Sequence, residues 1–584
     1  LYLAVLKKNL PNPLAKESDE EKTGEKKEVS VQPEARATGK TEKSSGSSAG
    51  QEKPVSSTSQ TVIDFEGLEY RIVALPIPPG NYSSLQTGEA GQIYFLEFPT
   101  MAIGAMAAGS RDRAQSARLH KFDLKTRKDE VIMEGLNNYL ISADKKKILY
   151  VAQNTWGITN LSGKIQVGQG KINVDTIEVK INPAEEWRQI FNEAWRINRD
   201  FFYDPNMHGC DWPAMKKKYE KFLPELACRD DLNRLIQWMC SELCVGHHRG
   251  GGGDTPYERQ RIQVGLLGAD YEIANGRYRF QKVYGGLNWN PGLRSPLTEP
   301  GVNVRAGEYL LAVDGQELFP PDNLFRFFEN KADKIVEITV GPRPDGQGAR
   351  TVQVVPVADD YSLRNRDWVE GNLKKVEEAT AGRVAYVYVP DTSIQGYMYF
   401  RRYFFPQAYK EAIIVDERFN GGGSVADYYI DWLTKPFIAM WAMRYGADLK
   451  TPSASIQGPK VMLINEMAGS GGDLLPWMFR KFGLGPLIGK RTWGGLVGVL
   501  GFPTLMDGGS ITAPNLAIWT EDGWIVENEG VPPDMEVEIT PADYKAGRDA
   551  QLEKAIQMVT DLLQKNPPQK LQRPPYPVRV RKTN

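Results

Sequence analysis

The apolar residues change period three times along this chain, and each change demands a different architecture. From 61 to 183 they alternate every second position, as at 70–75, 92–97, 119–124 and 147–152. That is the pattern of half-buried strands, and turns such as Ser142-Ala-Asp-Lys145 separate them. From 184 the spacing becomes helical, with Trp187, Ile190, Phe191, Ala194 and Trp195 on one face. Two more helices are expected at 212–222 and 231–244, the second N-capped by Asp230 or Asp231. Strands return at 264–271, 277–283, 309–313 and 336–340, with a turn at Asp314-Gly315 and a short helix expected at 321–330. After 360, short apolar strands at 383–389, 412–416, 460–465 and 487–488 alternate with helices, the last spanning 549–564. That alternation argues for an α/β layer.

These shifts divide the chain into a strand-rich region 1–183, a helical region 184–258, a small β module 259–360, an α/β domain 361–570 and a loose tail 571–584. The 584 residues accommodate about four domains at about 150 residues each. Within the first region, 14–60 is a composition break. From 16 to 60 it holds no aromatic residue and is rich in Glu, Lys, Ser, Thr and Gly, so it is expected to be disordered. The strands of 61–183 suit propeller blades of four strands, but only two or three fit, too few to close a ring. With a start at Leu1 rather than Met, a longer parent protein is expected.

Composition removes several functions. The 72 basic and 73 acidic residues leave a net charge of −1, without the basic excess of a nucleic-acid binder. The N-terminal apolar run 1–6 is far short of the roughly 20 residues that cross a bilayer, and it lacks a signal-peptide layout. No membrane or nucleic-acid partner is expected. The four cysteines, Cys210, Cys228, Cys240 and Cys244, form neither a CxxC pair nor a zinc spacing, and read as thiols of a reduced compartment. A cytoplasmic location fits, with the periplasm open if the true N-terminus lies upstream. Histidine chemistry must use His120, His208, His247 or His248. His248 with Asp254 makes a poor metal site, because no third ligand has suitable spacing.

Two strand-to-helix turns carry the strongest chemical signal. One is Asp416-Glu-Arg-Phe-Asn-Gly-Gly-Gly423; the other is Asn465-Glu-Met-Ala-Gly-Ser470-Gly-Gly-Asp473. Glycines permit tight turns and close backbone approach, and a following helix offers free N–H groups to negative charge. Ser470 stands where a hydrolase nucleophile stands on its elbow, although Ala468 breaks the strict G-x-S-x-G form. Gly471 N–H, with Gly423 or a neighbour, could supply oxyanion donors. Serine still needs a base.

The combination resembles the C-terminal half of tricorn proteases, among the tail-specific serine proteases. The resemblance covers nearly all of 184–565. It rests on Glu186-Trp-Arg188 with Ala194-Trp-Arg196, on Ser241-Glu-Leu-Cys-Val-Gly-His247, and on a PDZ-like segment at 301–315. It rests also on the two turns, on Gly489-Lys-Arg-Thr-Trp-Gly-Gly495 and on Val526-Glu-Asn-Glu-Gly-Val531. The fold implied is multidomain: a partial propeller, a helical domain, a PDZ-like module and a crotonase-like catalytic domain. The resemblance implies Ser470 as nucleophile, His247 as general base, Gly423 and Gly471 as oxyanion donors, and Glu527 as the acid behind the histidine. In tricorn a serine precedes the histidine and links it to the acid; here Gly246 stands there, so Glu527 must act through water, through another side chain, or not at all. The neighbouring branch uses a lysine base, but Gly495 occupies its place.

A serine peptidase acting on peptides or unfolded chains is the expectation, with no cofactor and with homo-oligomeric assembly. The stretch 437–441, where a pocket residue would fall, is apolar, favouring apolar or small side chains. Two other classes remain open: a non-catalytic peptide-binding scaffold, motivated by Gly246, and a crotonase-like acyl-CoA enzyme sharing the oxyanion turns.

Overall fold

The computed structural model describes residues 1–15, 61–98, 117–255, 261–569 and 571–580. The expected disorder of 16–60 lies outside the described residues. The chain divides into two compact units, one within residues 1–178 and the other centred on 179–584.

The first unit is all-β. Tyr2–Ala4 pairs antiparallel with Ile72–Ala74, so the chain on either side of the undescribed stretch meets in one ladder. Two four-stranded antiparallel sheets follow. One comprises Asn81–Thr87, Gln92–Phe98, Ala117–Asp123 and Lys128–Leu136; the other comprises Asn138–Ile141, Lys147–Ala152, Thr155–Asn160 and Lys171–Ile172. Alternating residues bury Leu96, Leu119, Ile148 and Tyr150 in their core. These are two propeller-type blades, and no closed ring forms among the described residues. His120 is held here, its Nε2 3.1 Å from Glu97 and its Nδ1 2.9 Å from Asp129.

The second unit begins with α1 (Pro183–Phe201), whose N-terminal Ala184 N–H donates to the Asn182 side chain. Its expected apolar face buries Ile190, Phe191 and Ala194, with Trp187 and Trp195 packed alongside. α2 (Trp212–Glu220) and α3 (Arg229–Ser241) complete the helical layer. The cap of α3 differs from expectation. Cys228 is the N-cap, and Asp231 acts from the third helical position by accepting the N–H groups of Ala227 and Cys228. The layer shares its core with Val497, Leu505, Ile511 and Ala513 of the last domain. A buried ion pair, Arg229 Nε to Asp507 Oδ2 at 2.5 Å, crosses the same boundary.

The small β module is an antiparallel sheet ordered Ala269–Ala274, Arg277–Val283, Tyr309–Val313, Val336–Gly341, Arg350–Val354. Its first strand starts later than the sequence suggests, because Val264 and Leu266 make only isolated bridges. The helix expected at 321–330 is a short 3-10 turn, Leu324–Phe328.

The last domain is a parallel five-stranded sheet ordered Val384–Tyr388, Ala412–Asp416, Lys460–Ile464, Leu487–Gly489, Met535–Glu536. Its first four strands are largely apolar, buried runs because both faces are covered. α4 (Tyr361–Ala379) and the final helix Ala550–Lys565 cover one face. α5 (Ile394–Phe404), α6 (Ala426–Leu433) and α7 (Gly471–Lys481) cover the other. Both glycine turns leave the carboxyl ends of adjacent strands, where open α/β sheets place their ligands.

Candidate active site

The first turn is anchored from below. Arg418, fully buried, donates to both oxygens of Asp416 at 2.9 and 2.7 Å and to both oxygens of Asp549 at 2.9 Å. The turn above it is knitted to its neighbour. Asn465 accepts the Phe419 N–H at 2.9 Å, and Asn420 O accepts the Gly469 N–H at 3.1 Å. The two glycine turns are therefore one rigid body of hydrogen bonds.

Ser470 begins α7 with φ 58° and ψ −116°, a region that side-chain-bearing residues rarely enter. Such strain persists only where surroundings over-determine it. Asp473 does so: it is fully buried, and its Oδ2 accepts the Ser470 N–H at 2.7 Å. The same carboxylate accepts Thr492 Oγ1–H at 2.5 Å and the N–H groups of Gly494 and Gly495 at 2.8 and 3.1 Å. Burial nevertheless pushes its pKa above the usual value, against those four donors. A Cβ added to Gly471 would lie 2.3 Å from Gly423 O and 2.9 Å from Gly423 N, so only glycine lets these two turns touch. Among the described residues the N–H groups of Gly423 and Gly471 have no protein acceptor. They form a pair of free donors beside Ser470.

His247 sits on the loop after α3. Its backbone O accepts Thr512 Oγ1–H at 2.8 Å. Its ring lies 5.2 Å from the indole of Trp493, and its buried Nδ1 has no hydrogen-bond partner. Burial lowers the His247 pKa; Glu527 opposes that shift, Arg249 adds to it, and Asp473 opposes it weakly. The ring is thus poised in the neutral form that a base requires.

Glu527 is tied to the residue before the histidine rather than to the imidazole. Its Oε1 accepts the Gly246 N–H at 2.9 Å, and its Oε2 accepts the N–H groups of Leu496 and Val497, both at 2.7 Å. The link from Glu527 toward His247 therefore runs through backbone, with no linking hydroxyl. Gly246 has a local cause as well: a Cβ there would meet Trp493 Cζ2 at 3.0 Å. The indole crowds the place a serine side chain would take and would have to give way by a few tenths of an ångström. Trp493 also packs on Gly469, so the Ser470 loop and His247 share one indole. Ser470 Oγ and His247 are not hydrogen-bonded to each other in this resting arrangement.

The rival histidines are structural. His248 Nε2 lies 2.8 Å from Asn198 Oδ1, its ring stacks on Phe202, and burial pushes its pKa down to about 4. His208 is tied to Leu243 O at 2.9 Å and to Tyr203 OH at 2.5 Å. No group of three metal-binding side chains forms among the described residues. Gly495, at the alternative lysine position, spends its N–H on Asp473.

Sequence reasoning missed Asp473 and Trp493. An acid three residues after a helix-initiating serine is a capping signal, so Asp473 could have been found. Trp493 could not, because a single aromatic in a loop carries no period.

The fold and site set a strand–serine–helix elbow on a parallel sheet, with a PDZ-like module and a helical layer followed by the loop that carries His247. Comparison with known proteins agrees. The tricorn protease C1 domain matches residues 183–241, the tricorn protease PDZ domain matches 265–359, and peptidase family S41 matches 383–537. "Tricorn protease homolog 1" of Streptomyces coelicolor is 34% identical over 518 residues, covering 87% of this chain and 48% of the relative. The tricorn protease of Thermoplasma acidophilum is 31% identical over 501 residues, covering 86% and 46%. A crystal structure of the tricorn protease superposes with a TM-score of 0.76 at 30% identity, covering 87% of this chain and 49% of that one. The chain belongs to the tricorn protease family. It spans about half the length of the curated relatives it matches.

Proposed function

We propose that this chain carries the catalytic centre of a tricorn-type serine peptidase. The observation that carries the reading is Ser470, held in a strained elbow beside two unspent N–H donors. Ser470 Oγ adds to the peptide carbonyl carbon while His247 takes its proton. The carbonyl oxygen gains the electron pair and accepts hydrogen bonds from Gly423 and Gly471. Collapse breaks the C–N bond, His247 returns the proton to the leaving amine, and water repeats the sequence on the acyl-enzyme. Glu527 favours the imidazolium electrostatically and fixes the Gly246 peptide on which His247 is carried. Hydrogen bonding between Ser470 and His247 is made on substrate binding, as apo active sites commonly tighten only in the complex.

Substrates are peptides or unfolded chains, with apolar or small side chains preferred. The apolar stretch 437–441 supports the preference, and it lies on an exposed hairpin, Ala439–Trp441 with Leu449–Thr451. The exposed Ile438, Trp441 and Tyr445 of that region support assembly into a homo-oligomer. Hydrolysis of a fluorogenic peptide set by wild type, Ser470→Ala and His247→Ala tests the reading. Activity that survives Ser470→Ala ends it, and peptide binding without turnover points to a scaffold instead.

A further inference from the structure

Thr392 follows the strand Val384–Tyr388, just before α5. It is fully buried, and its hydroxyl has no hydrogen-bond partner. An unpaired buried hydroxyl is destabilising, so its presence calls for a reason other than hydrogen bonding. Its surroundings supply one. The Thr392 N–H donates to Gly422 O at 2.9 Å, and Thr392 O accepts the Val425 N–H at 2.9 Å. These bonds bracket the turn that carries Gly423. A Cβ on Gly423 would lie 2.3 Å from Thr392 C, so the two backbones are in direct contact. On the other side, a Cβ on Gly471 would come within 1.9 Å of Thr392 Oγ1. One residue therefore packs against both glycines that carry the free donors, the first with its backbone and the second with its hydroxyl oxygen.

We propose that Thr392 is a positioning residue of the oxyanion site, its hydroxyl oxygen setting how closely Gly471 approaches Gly423. The inference rests on the peptidase reading of Ser470. A methyl group is wider than a hydroxyl oxygen, and packed interiors respond to such differences. A methyl in that place pushes the Gly471 peptide away and spreads the two donors. Thr392 takes no part in bond making or breaking; it acts through the two glycines. The hydroxyl is kept for its size, at the expense of going unpaired.

The test compares Thr392→Val with Thr392→Ser in the full chain, with Ser470→Ala as reference, on a fluorogenic peptide amide that wild type cleaves. Thr392→Val is expected to lower kcat by about 10²-fold, the scale for losing one oxyanion donor, with KM little changed. Thr392→Ser keeps the oxygen and is expected to retain kcat within about threefold, well inside that scale. Thermal midpoints of both variants should stay close to wild type, which a purely structural defect in kcat would not allow. Wild-type kcat in Thr392→Val overturns the inference. So does an equal loss in both variants, because Thr392→Ser keeps the oxygen to which the spacing is assigned. If Ser470→Ala is as active as wild type, the peptidase reading itself falls.

Discussion

Replacing Asp473 with Asn isolates what holds the nucleophile. The asparagine has the same shape but one acceptor oxygen, with an NH2 group in place of the other. Of the four donors that converge on Asp473, two would then face another donor. Hydrogen bonds to a charged acceptor contribute about 1.5–3 kcal/mol each, so two lost bonds cost roughly 3–6 kcal/mol. Removing a carboxylate that burial disfavours returns part of this. A net loss of about 2–4 kcal/mol is expected, a large part of the 5–15 kcal/mol of a typical domain. The thermal midpoint should fall by several degrees, on the order of 5–10 °C. If the Ser470 N–H is among those left unpaired, the elbow at φ 58° loses its restraint. Catalytic groups displaced by about 1 Å lose on the order of 10²-fold in rate, and kcat should fall on that scale while KM holds. Thr492→Val, which removes one donor and leaves the carboxylate, should show a smaller fall in both. Differential scanning calorimetry and peptide kinetics read the two effects separately. A variant Asp473→Asn with wild-type midpoint and kcat would show that the carboxylate does not restrain the serine.

Burial holds the His247 pKa below its ordinary 6.5, so the acid limb of kcat/KM should have its midpoint below that value, with activity rising with pH as the ring loses its proton. His248→Gln, a change outside the reaction, should leave that limb in place. Glu417 is fully buried with both carboxylate oxygens unpartnered, and its pKa is raised well above 4.5 by burial first, then by Asp473 and Asp416. A raised carboxyl pKa means the native state binds more protons, so stability falls as pH rises from the ordinary value through the raised one. Glu417→Gln should therefore raise the thermal midpoint at neutral pH and flatten its pH dependence; a lower midpoint would refute this. Arg418→Ala would leave Asp416 and Asp549 facing each other without their cation, and should destabilise by about 3–5 kcal/mol in denaturant unfolding. Gly246→Ser should gain no activity, because its side chain meets Trp493; paired with Trp493→Gly the serine has room.

Much of this architecture was legible because it rests on period. The four apolar strands of the last domain are buried on both faces and could be read as unbroken runs. The glycine turns were legible because only glycine lets Gly471 approach Gly423. What escaped is non-local. The cap of α3 fell to Cys228 because Asp231 does more from inside the helix, taking two N–H groups at once. The strand expected at 264–271 shortened because Val264 and Leu266 find single partners rather than a ladder. Most of all, Glu527 and Gly246 are 281 residues apart in sequence and meet through a backbone N–H, which leaves no mark on residue type at either position.

That contact has a counterpart. Asp473 holds the N–H groups of Gly494 and Gly495, and Glu527 holds those of Leu496 and Val497. One carboxylate also holds the amide of Ser470 and the other the amide of Gly246, next to His247. Four consecutive amides thus set the spacing between the Ser470 elbow and the His247 loop. Main-chain groups do the holding, so the carboxylates read the length of this segment, while crowding keeps Gly494 and Gly495 bare and burial keeps Leu496 and Val497 apolar. Inserting or deleting one residue would hand each carboxylate the wrong amides and carry Ser470 and His247 out of step.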